Sequence, residues 1–177
     1  MTIMTTDIHN KQIEQFLTFE LAREVYGVEI LKVQEIRGWE AVRVIPNAPS
    51  FIKGVLNLRG SVIPIVDLRE RFSLDQCDYT QKTVVIVLCV RHHRTETFVI
   101  GIVADAVSDV LDIKLDEIKK APNFGTQLDT GYMRGMHVYK KNMIMLLDVD
   151  KLLNPDEIDG MDTLDDISPL DNEDSLS

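Results

Sequence analysis

A chain of 177 residues that is 45% hydrophobic and 27% charged suits one ordinary domain, or two small ones with a core each, and excludes disorder away from its ends. No run of 18 apolar residues occurs, and the opening MTIMTTDIHNKQ lacks an apolar stretch, so neither a membrane-spanning helix nor a secretory signal is expected. The net charge of −10 is local, because residues 154–177 carry nine acids and no Lys or Arg, leaving 20 acids against 19 bases in the remaining 153 residues. A nearly neutral body lacks the basic excess of a phosphate-binding surface, so nucleic acid is not an expected partner. Residues 154–177 are predicted to be a solvated, disordered acidic tail and residues 1–12 a flexible start.

In chain order, Leu17, Phe19 and Leu21 alternate with Thr18 and Glu20, which predicts a strand with one buried face. Val28 and Ile30 flank Glu29 in the same way. Phe51, Ile52, Val55 and Leu56 fall at helical spacing behind Pro49, which predicts a helix of about two turns. Pro64 inside the run Val62–Val66 predicts an edge or bulge position, since proline cannot donate to a ladder. The runs Val84–Val90 and Phe98–Ala104 are almost wholly apolar, and the polar segment between them, Arg91–Glu96, has hairpin size. Met143–Leu147 is another apolar run, entered through Lys140-Lys141-Asn142. Asp67, Asp116 and Asp148 precede short apolar segments as N-caps or first-turn acids of single short helices.

Self-comparison groups these elements. Val25-Tyr26-Gly27-Val28 lines up with Val99-Ile100-Gly101-Ile102, and Val33-Gln34-Glu35-Ile36 with Val107-Ser108-Asp109-Val110, both 74 positions later. Leu58-Arg59-Gly60 matches Met133-Arg134-Gly135 at an offset of 75, and Ile65-Val66-Asp67-Leu68 matches Leu146-Leu147-Asp148-Val149 at 81. Two related β units follow, residues 13–80 and 81–153. Strands this short leave exposed edges unless the sheet curls up. The predicted fold is all-β: two tandem five-stranded SH3-like barrels, a few short helices, and a groove between the barrels that can bind without chemistry.

Little in the sequence carries catalysis. Cys77 and Cys89 are too few for a disulfide scaffold or zinc cage, and Cys89 lies in the apolar run VVIVLCV, so it reads as a buried hydrophobe in a reducing cytoplasm. His9, His92, His93 and His137 lack the companions of a metal site. No phosphate loop, dinucleotide signature or nucleophile elbow occurs. No catalytic residue, metal or cofactor is expected, although triads are spatial and escape motif reading.

The segment Gly54-Val55-Leu56-Asn57-Leu58-Arg59-Gly60 stands out instead. Asn57 and Gly60 tolerate left-handed backbone, and a tight corner there pushes Arg59 outward. An arginine on a rigid turn can grip a carboxylate of another protein. It can equally cap helix carbonyls or pair with Asp67 or Glu35 of its own unit. Glu35 reads either as a solvated strand charge or as part of the same surface.

The runs Ile30-Leu31-Lys32-Val33-Gln34-Glu35-Ile36-Arg37-Gly38, Phe51–Gly60 and Pro64-Ile65-Val66-Asp67-Leu68-Arg69 resemble the CheW family of bacterial chemotaxis coupling proteins. Gly101-Ile102-Val103-Ala104-Asp105, Val107–Leu111 and Met145–Leu153 continue the likeness, which covers roughly residues 15–153. The resemblance implies two small barrels around a shared groove and an adaptor without catalysis, cytoplasmic and held at the membrane only through receptor arrays. Its partners would be the regulatory domain of the histidine autokinase CheA, the cytoplasmic tips of transmembrane chemoreceptors, and possible ring neighbours of its own kind. A receptor tip would dock near Val33, Glu35, Gly54, Asn57, Arg59 and Gly60, and the kinase near Val84, Gly101, Val107 and Val110. The alternatives are a regulatory barrel of another two-component pathway or a small enzyme using the groove. Three features depart from the family pattern: the longer tip Arg91–Glu96, the acidic stretch Asp156–Asp174, and Trp39 where tyrosine is common.

Overall fold

A computed structural model of the chain describes residues 12–75, 78–92, 96–120 and 130–152. The predicted tail, nearly all of the predicted flexible start, and the hairpin tip at 93–95 lie outside the described residues. Among the described residues ten strands carry the fold: β1 Ile13–Leu21, β2 Glu24–Glu29, β3 Val33–Gly38, β4 Ile52–Leu58, β5 Ser61–Asp67, β6 Val84–His92, β7 Glu96–Ala104, β8 Ala106–Lys114, β9 Met133–Tyr139 and β10 Asn142–Leu147. A single α-helical turn, α1 (Leu68–Arg71), follows β5, and 3₁₀ turns occupy Ile30–Lys32, Leu115–Glu117, Thr130–Tyr132 and Val149–Lys151.

The strands form two five-stranded sheets, ordered β8-β1-β2-β10-β9 and β3-β6-β7-β5-β4. Replacing β1, β2, β8, β9 and β10 by β6, β7, β3, β4 and β5 converts the first order into the second, so the internal repeat is real in three dimensions. The sheets do not follow the halves 13–80 and 81–153, however. One sheet is built from a continuous segment, residues 33–104, and the other from residues 13–29 joined by 106–147. The chain changes sheets at the 3₁₀ turn Ile30–Lys32 and at Asp105. The exchange is sealed by two equivalent parallel pairings, β10 with β2 (Leu146 opposite Gly27) and β5 with β7 (Ile65 opposite Gly101). At both glycines a Cβ would collide with the opposing chain, at 2.8 Å from Leu146 Cδ2 or 2.6 Å from Ile65 Cδ1.

Three sequence expectations change. The segment Ile52–Leu58 is strand β4, not helix: Ile52, Gly54, Leu56 and Leu58 are buried in alternation, while Phe51 and Val55 are only half-buried. Apolar residues on both faces imitate a helical spacing, and the glycine in mid-run disfavours a helix. Pro64 lies not at an edge but in β5, an interior strand between β4 and β7, next to the register shift that the β4–β5 ladder makes between Ile52 and Gly54. Val55, opposite it, directs both its N–H and its C=O away, to Arg43 at 2.8 and 3.0 Å, so the β4–β5 ladder loses no bond to proline. The match of Leu58-Arg59-Gly60 to Met133-Arg134-Gly135 is out of register. Gly135 corresponds to Gly54, because each passes beneath a crossing chain where a Cβ would meet a carbonyl oxygen, of Arg43 at 2.2 Å or of Lys119 at 2.7 Å. Those crossings, the bridges Arg43–Val55 and Lys119–Met136, add a backbone partner to β4 and β9, the end strands of the two sheets.

Burial explains the unbroken apolar runs. One cluster (Phe16, Ile113, Ile144, Leu146) fills the first sheet's curl and another (Leu56, Leu58, Ile63, Ile65, Val85, Val87, Val103) the second's. The largest cluster mixes both sheets, including Leu17, Phe19 and Val28 from one and Ile86, Leu88, Ile100 and Ile102 from the other. Strand β6 sends Val85 and Val87 inward and Ile86, Leu88 and Val90 to the junction, so both faces stay apolar as far as Val90. Cys89 is half-buried on this strand, opposite Val99.

Candidate docking site

The strand β3 has an inverted pattern. Val33, Glu35 and Arg37 are half-buried and Gln34, Ile36 and Gly38 exposed; a register shift between Val33 and Glu35 leaves Glu35 and Arg37 on one face, opposite Val87 and Val85, and Val33 and Ile36 on the other, opposite Leu88 and Ile86. Apolar Ile36 therefore faces water at 44% exposure, and Leu31, just before the strand, reaches 92%. Single exposed apolar side chains are ordinary on a protein surface; here two lie close together in sequence, beside a carboxylate that is half-buried.

The carboxylate has a partner. Strands β4 and β5 are joined by the two-residue turn Arg59-Gly60, with φ of 51° and 90°. Two positive φ values in a tight hairpin are the signature of a type I′ turn, which matches strand twist and tolerates glycine at its second position. Asn57 stays in the strand and does not adopt left-handed backbone; its Oδ1 accepts from the Gly60 amide at 3.0 Å and braces the corner. Arg59, 76% exposed, projects from the turn and its Nη2 donates to Glu35 Oε2. Arg37 extends the cluster, 3.8 Å from Glu35 and 3.2 Å from Glu40. Of the two internal partners open to Arg59, Glu35 is the one found. Asp67 is engaged elsewhere, as the N-cap of α1 and the ligand of Arg69.

The structure thus brings Glu35, Asn57, Arg59 and Gly60 to one corner, with Val33 half-buried against the central core. Gly54 is apart from them, buried beneath the Arg43 crossing. Among Val84, Gly101, Val107 and Val110, only Val110 is exposed, at 48%. Val84 and Val107 pack on the central core, and Gly101 is buried where two strands meet. The sequence reading missed a concavity of about 470 Å³ lined by Ile13, Glu14, Gln15, Glu29, Ile30, Leu31 and Asp112. It adjoins β3 through the turn Ile30–Lys32, and no motif marks it, because its walls come from four separate elements.

A buried network lies at the other end of β5 from the corner. Arg69, 2% exposed, donates Nε and Nη2 to the two oxygens of Asp67 at 3.0 and 2.8 Å, and Nη1 to Asp105 at 2.9 Å. Tyr79 donates its hydroxyl to Asp67 at 3.3 Å and stacks on Trp39, ring centres 4.1 Å apart. Bonding to Asp67 raises the Arg69 pKa further above its ordinary value, and Arg134 is raised likewise by Glu14. Burial, helped by Glu24, pushes Tyr26 up to about 12, and burial also raises Tyr79. All four shifts move away from neutrality, which suits structural roles and not proton transfer. Among the described residues no group of three or more His, Cys, Asp or Glu could hold a metal, and no helix is long and apolar enough to cross a membrane.

Comparison with known proteins accords with this architecture. The family model described as the CheW-like domain matches residues 15–157. The chemotaxis protein CheW of Klebsiella aerogenes is 45% identical over 151 residues, covering 85% of this chain and 88% of that protein. The probable chemotaxis protein CheW of Rhizobium etli is 34% identical, covering 84% and 92%. The crystal structure of the scaffolding protein TtCheW from Thermoanaerobacter tengcongensis superposes with a TM-score of 0.73 at 28% identity, covering 84% of this chain and 93% of that one. With two exchanged β lobes and a match over most of its length, this chain belongs to the CheW family of chemotaxis scaffold proteins.

Proposed function

We propose that this protein is a cytoplasmic adaptor without catalysis that couples a CheA-type histidine kinase to the cytoplasmic tips of chemoreceptors. The observation that carries the reading is the corner where Arg59 meets Glu35 beside outward-facing Ile36. A helical receptor tip offers apolar ridges and charged flanks, which fit exposed apolar side chains beside a guanidinium–carboxylate pair. Val110 carries the kinase contact on the other sheet, with Val107 on the same strand, while Val84 and Gly101 lie in β6 and β7 of the sheet that holds the corner and support the contact from within. Individual contacts of this kind are small, and affinity comes from many made together. Rigidity suits the role, since a receptor biases a kinase only through contacts that differ between its states.

The test is reconstitution. Receptor-bearing membranes, the kinase and this protein are mixed, and kinase in the membrane pellet is measured. Kinase sediments only when the adaptor is present. Sedimentation unaffected by its omission overturns the proposal.

A further inference from the structure

The two sheets are related by the repeat, but their hairpin corners are not alike in charge. The counterpart of Arg59-Gly60 is Lys140-Lys141, with φ of 46° and 68°, joining β9 to β10. Arg59 is neutralised by Glu35. Lys140 and Lys141 have no carboxylate partner among the described residues, and Lys140 lies over the Tyr139 ring at 5.2 Å. The Lys119–Met136 bridge sets Lys119, with Lys120 after it, along the same β9 edge. Residues 130–147 contain no Asp or Glu. Val138 and Met143, directly opposite one another, are 58% and 49% exposed. The neighbouring turn contributes Arg23 and Glu24, which offset one another in charge. This edge is therefore basic and partly apolar in a protein of net charge −10.

One segment of the chain has the complementary chemistry. Residues 154–177 carry nine acids, no Lys or Arg, and apolar Ile158, Met161, Leu164 and Ile167 between the acids. They begin just after Leu152, which is buried next to the end of β10. A strand of six residues such as β10 spans roughly 20 Å. Twenty-four residues can reach up to roughly 80 Å, so the segment is long enough to cover this distance. Tethering at matched length gives a high effective concentration.

We propose that the acidic segment 154–177 docks in cis on the β9–β10 edge, its carboxylates on Lys119, Lys120, Lys140 and Lys141 and its apolar residues on Val138 and Met143. Docked there, it competes with any acidic partner of that edge.

The experiment is amide NMR of the full chain at about 20 and 500 mM NaCl, between which the screening length falls from roughly 20 to 4 Å. The variants are Lys140→Glu/Lys141→Glu and, reciprocally, Asp162→Asn/Asp165→Asn/Asp166→Asn. Salt should shift the amides of 156–167 and of 136–143 together, and each variant should abolish the shift in the other segment. The reciprocal variant leaves the β-sheets untouched, so a hairpin variant that fails to fold does not spoil the test. If neither segment responds to changes in the other, the docking is wrong. Shifts that fade on dilution mean docking on a second copy and overturn the cis arrangement. Binding of a partner protein at the edge with tail amides unmoved by salt also overturns it.

Discussion

Arg69 of α1 and Asp105, the residue at which the chain passes from β7 to β8, are joined by an Nη1–Oδ1 hydrogen bond of 2.9 Å across the junction of the two sheets. Asp105 completes the link with Oδ2, which accepts from the Ala22 amide in the β1–β2 turn at 2.8 Å. One guanidinium thus ties the helix cap of one lobe to a turn of the other. Breaking a buried charge pair strands the remaining partner, at a cost of about 3–5 kcal/mol. Arg69→Met should lower the urea midpoint strongly, and Asp105→Asn less, since Asp67 still grips the guanidinium. Equal and negligible changes in the two variants would mean that the network is passive.

The corner pair predicts the opposite pattern. An exposed ion pair stabilises by about 1 kcal/mol at most, so Glu35→Lys and Arg59→Asp should keep the circular dichroism and nearly the melting temperature of the native protein. Both should lose receptor co-sedimentation. The double reversal Glu35→Arg/Arg59→Glu should regain the internal pair without regaining binding. Recovery of binding in that double variant would show that the pair only braces the turn.

Gly101→Ala separates packing from contact. Its Cβ would meet Ile65 Cδ1 at 2.6 Å and Val85 Cγ1 at 2.7 Å, and overpacking of this kind costs about 1–3 kcal/mol. Gly27→Ala, at the equivalent site, should cost a similar amount. Kinase affinity measured well below the melting temperature should change little in either variant. A large loss confined to Gly101→Ala would instead place the kinase against β7.

Alkaline pH supplies a fourth prediction. Tyr26 is held at about 12 in the folded protein, against about 10 when unfolded. Because the folded value is the higher one, its contribution is intact below pH 10 and is lost as pH climbs from 10 to 12. The loss amounts to at most about 2–3 kcal/mol. Denaturant titrations across that range should show a steeper decline for the native protein than for Tyr26→Phe. Parallel curves would mean that burial does not perturb this phenol.

Period-two alternation made β1 legible, and the doubly buried β6 and β7 were legible as unbroken apolar runs. Asp67 and Asp148 were readable as caps, and each accepts from the amide two residues on, at 3.0 and 3.2 Å. The Phe51–Leu56 segment misled because a strand with two apolar faces has no single period. The sheet partners of the two halves were hidden for a different reason: repeat matching detects equivalent residues, not which copy each pairs with, and the exchange shows only in the pairings of β1 with β8, β2 with β10, β3 with β6 and β5 with β7. At the candidate site, Arg59 and Gly60 were visible through turn chemistry. The exposure of Leu31 was not, because nothing local distinguishes an apolar residue left uncovered from one that is packed.

The exchange between halves has a consequence for how such a molecule can be divided. Cutting the chain near residue 80 separates β1–β5 from β6–β10 and splits both sheets, so neither fragment is a self-sufficient module. Each fragment would keep one paired hairpin from each lobe, β1–β2 and β4–β5 or β6–β7 and β9–β10, and one strand, β3 or β8, stripped of its sheet neighbour. Two such fragments satisfy one another only as an interlocked pair. The repeat is in effect a swapped dimer written into one polypeptide, with its stoichiometry fixed by the peptide bond.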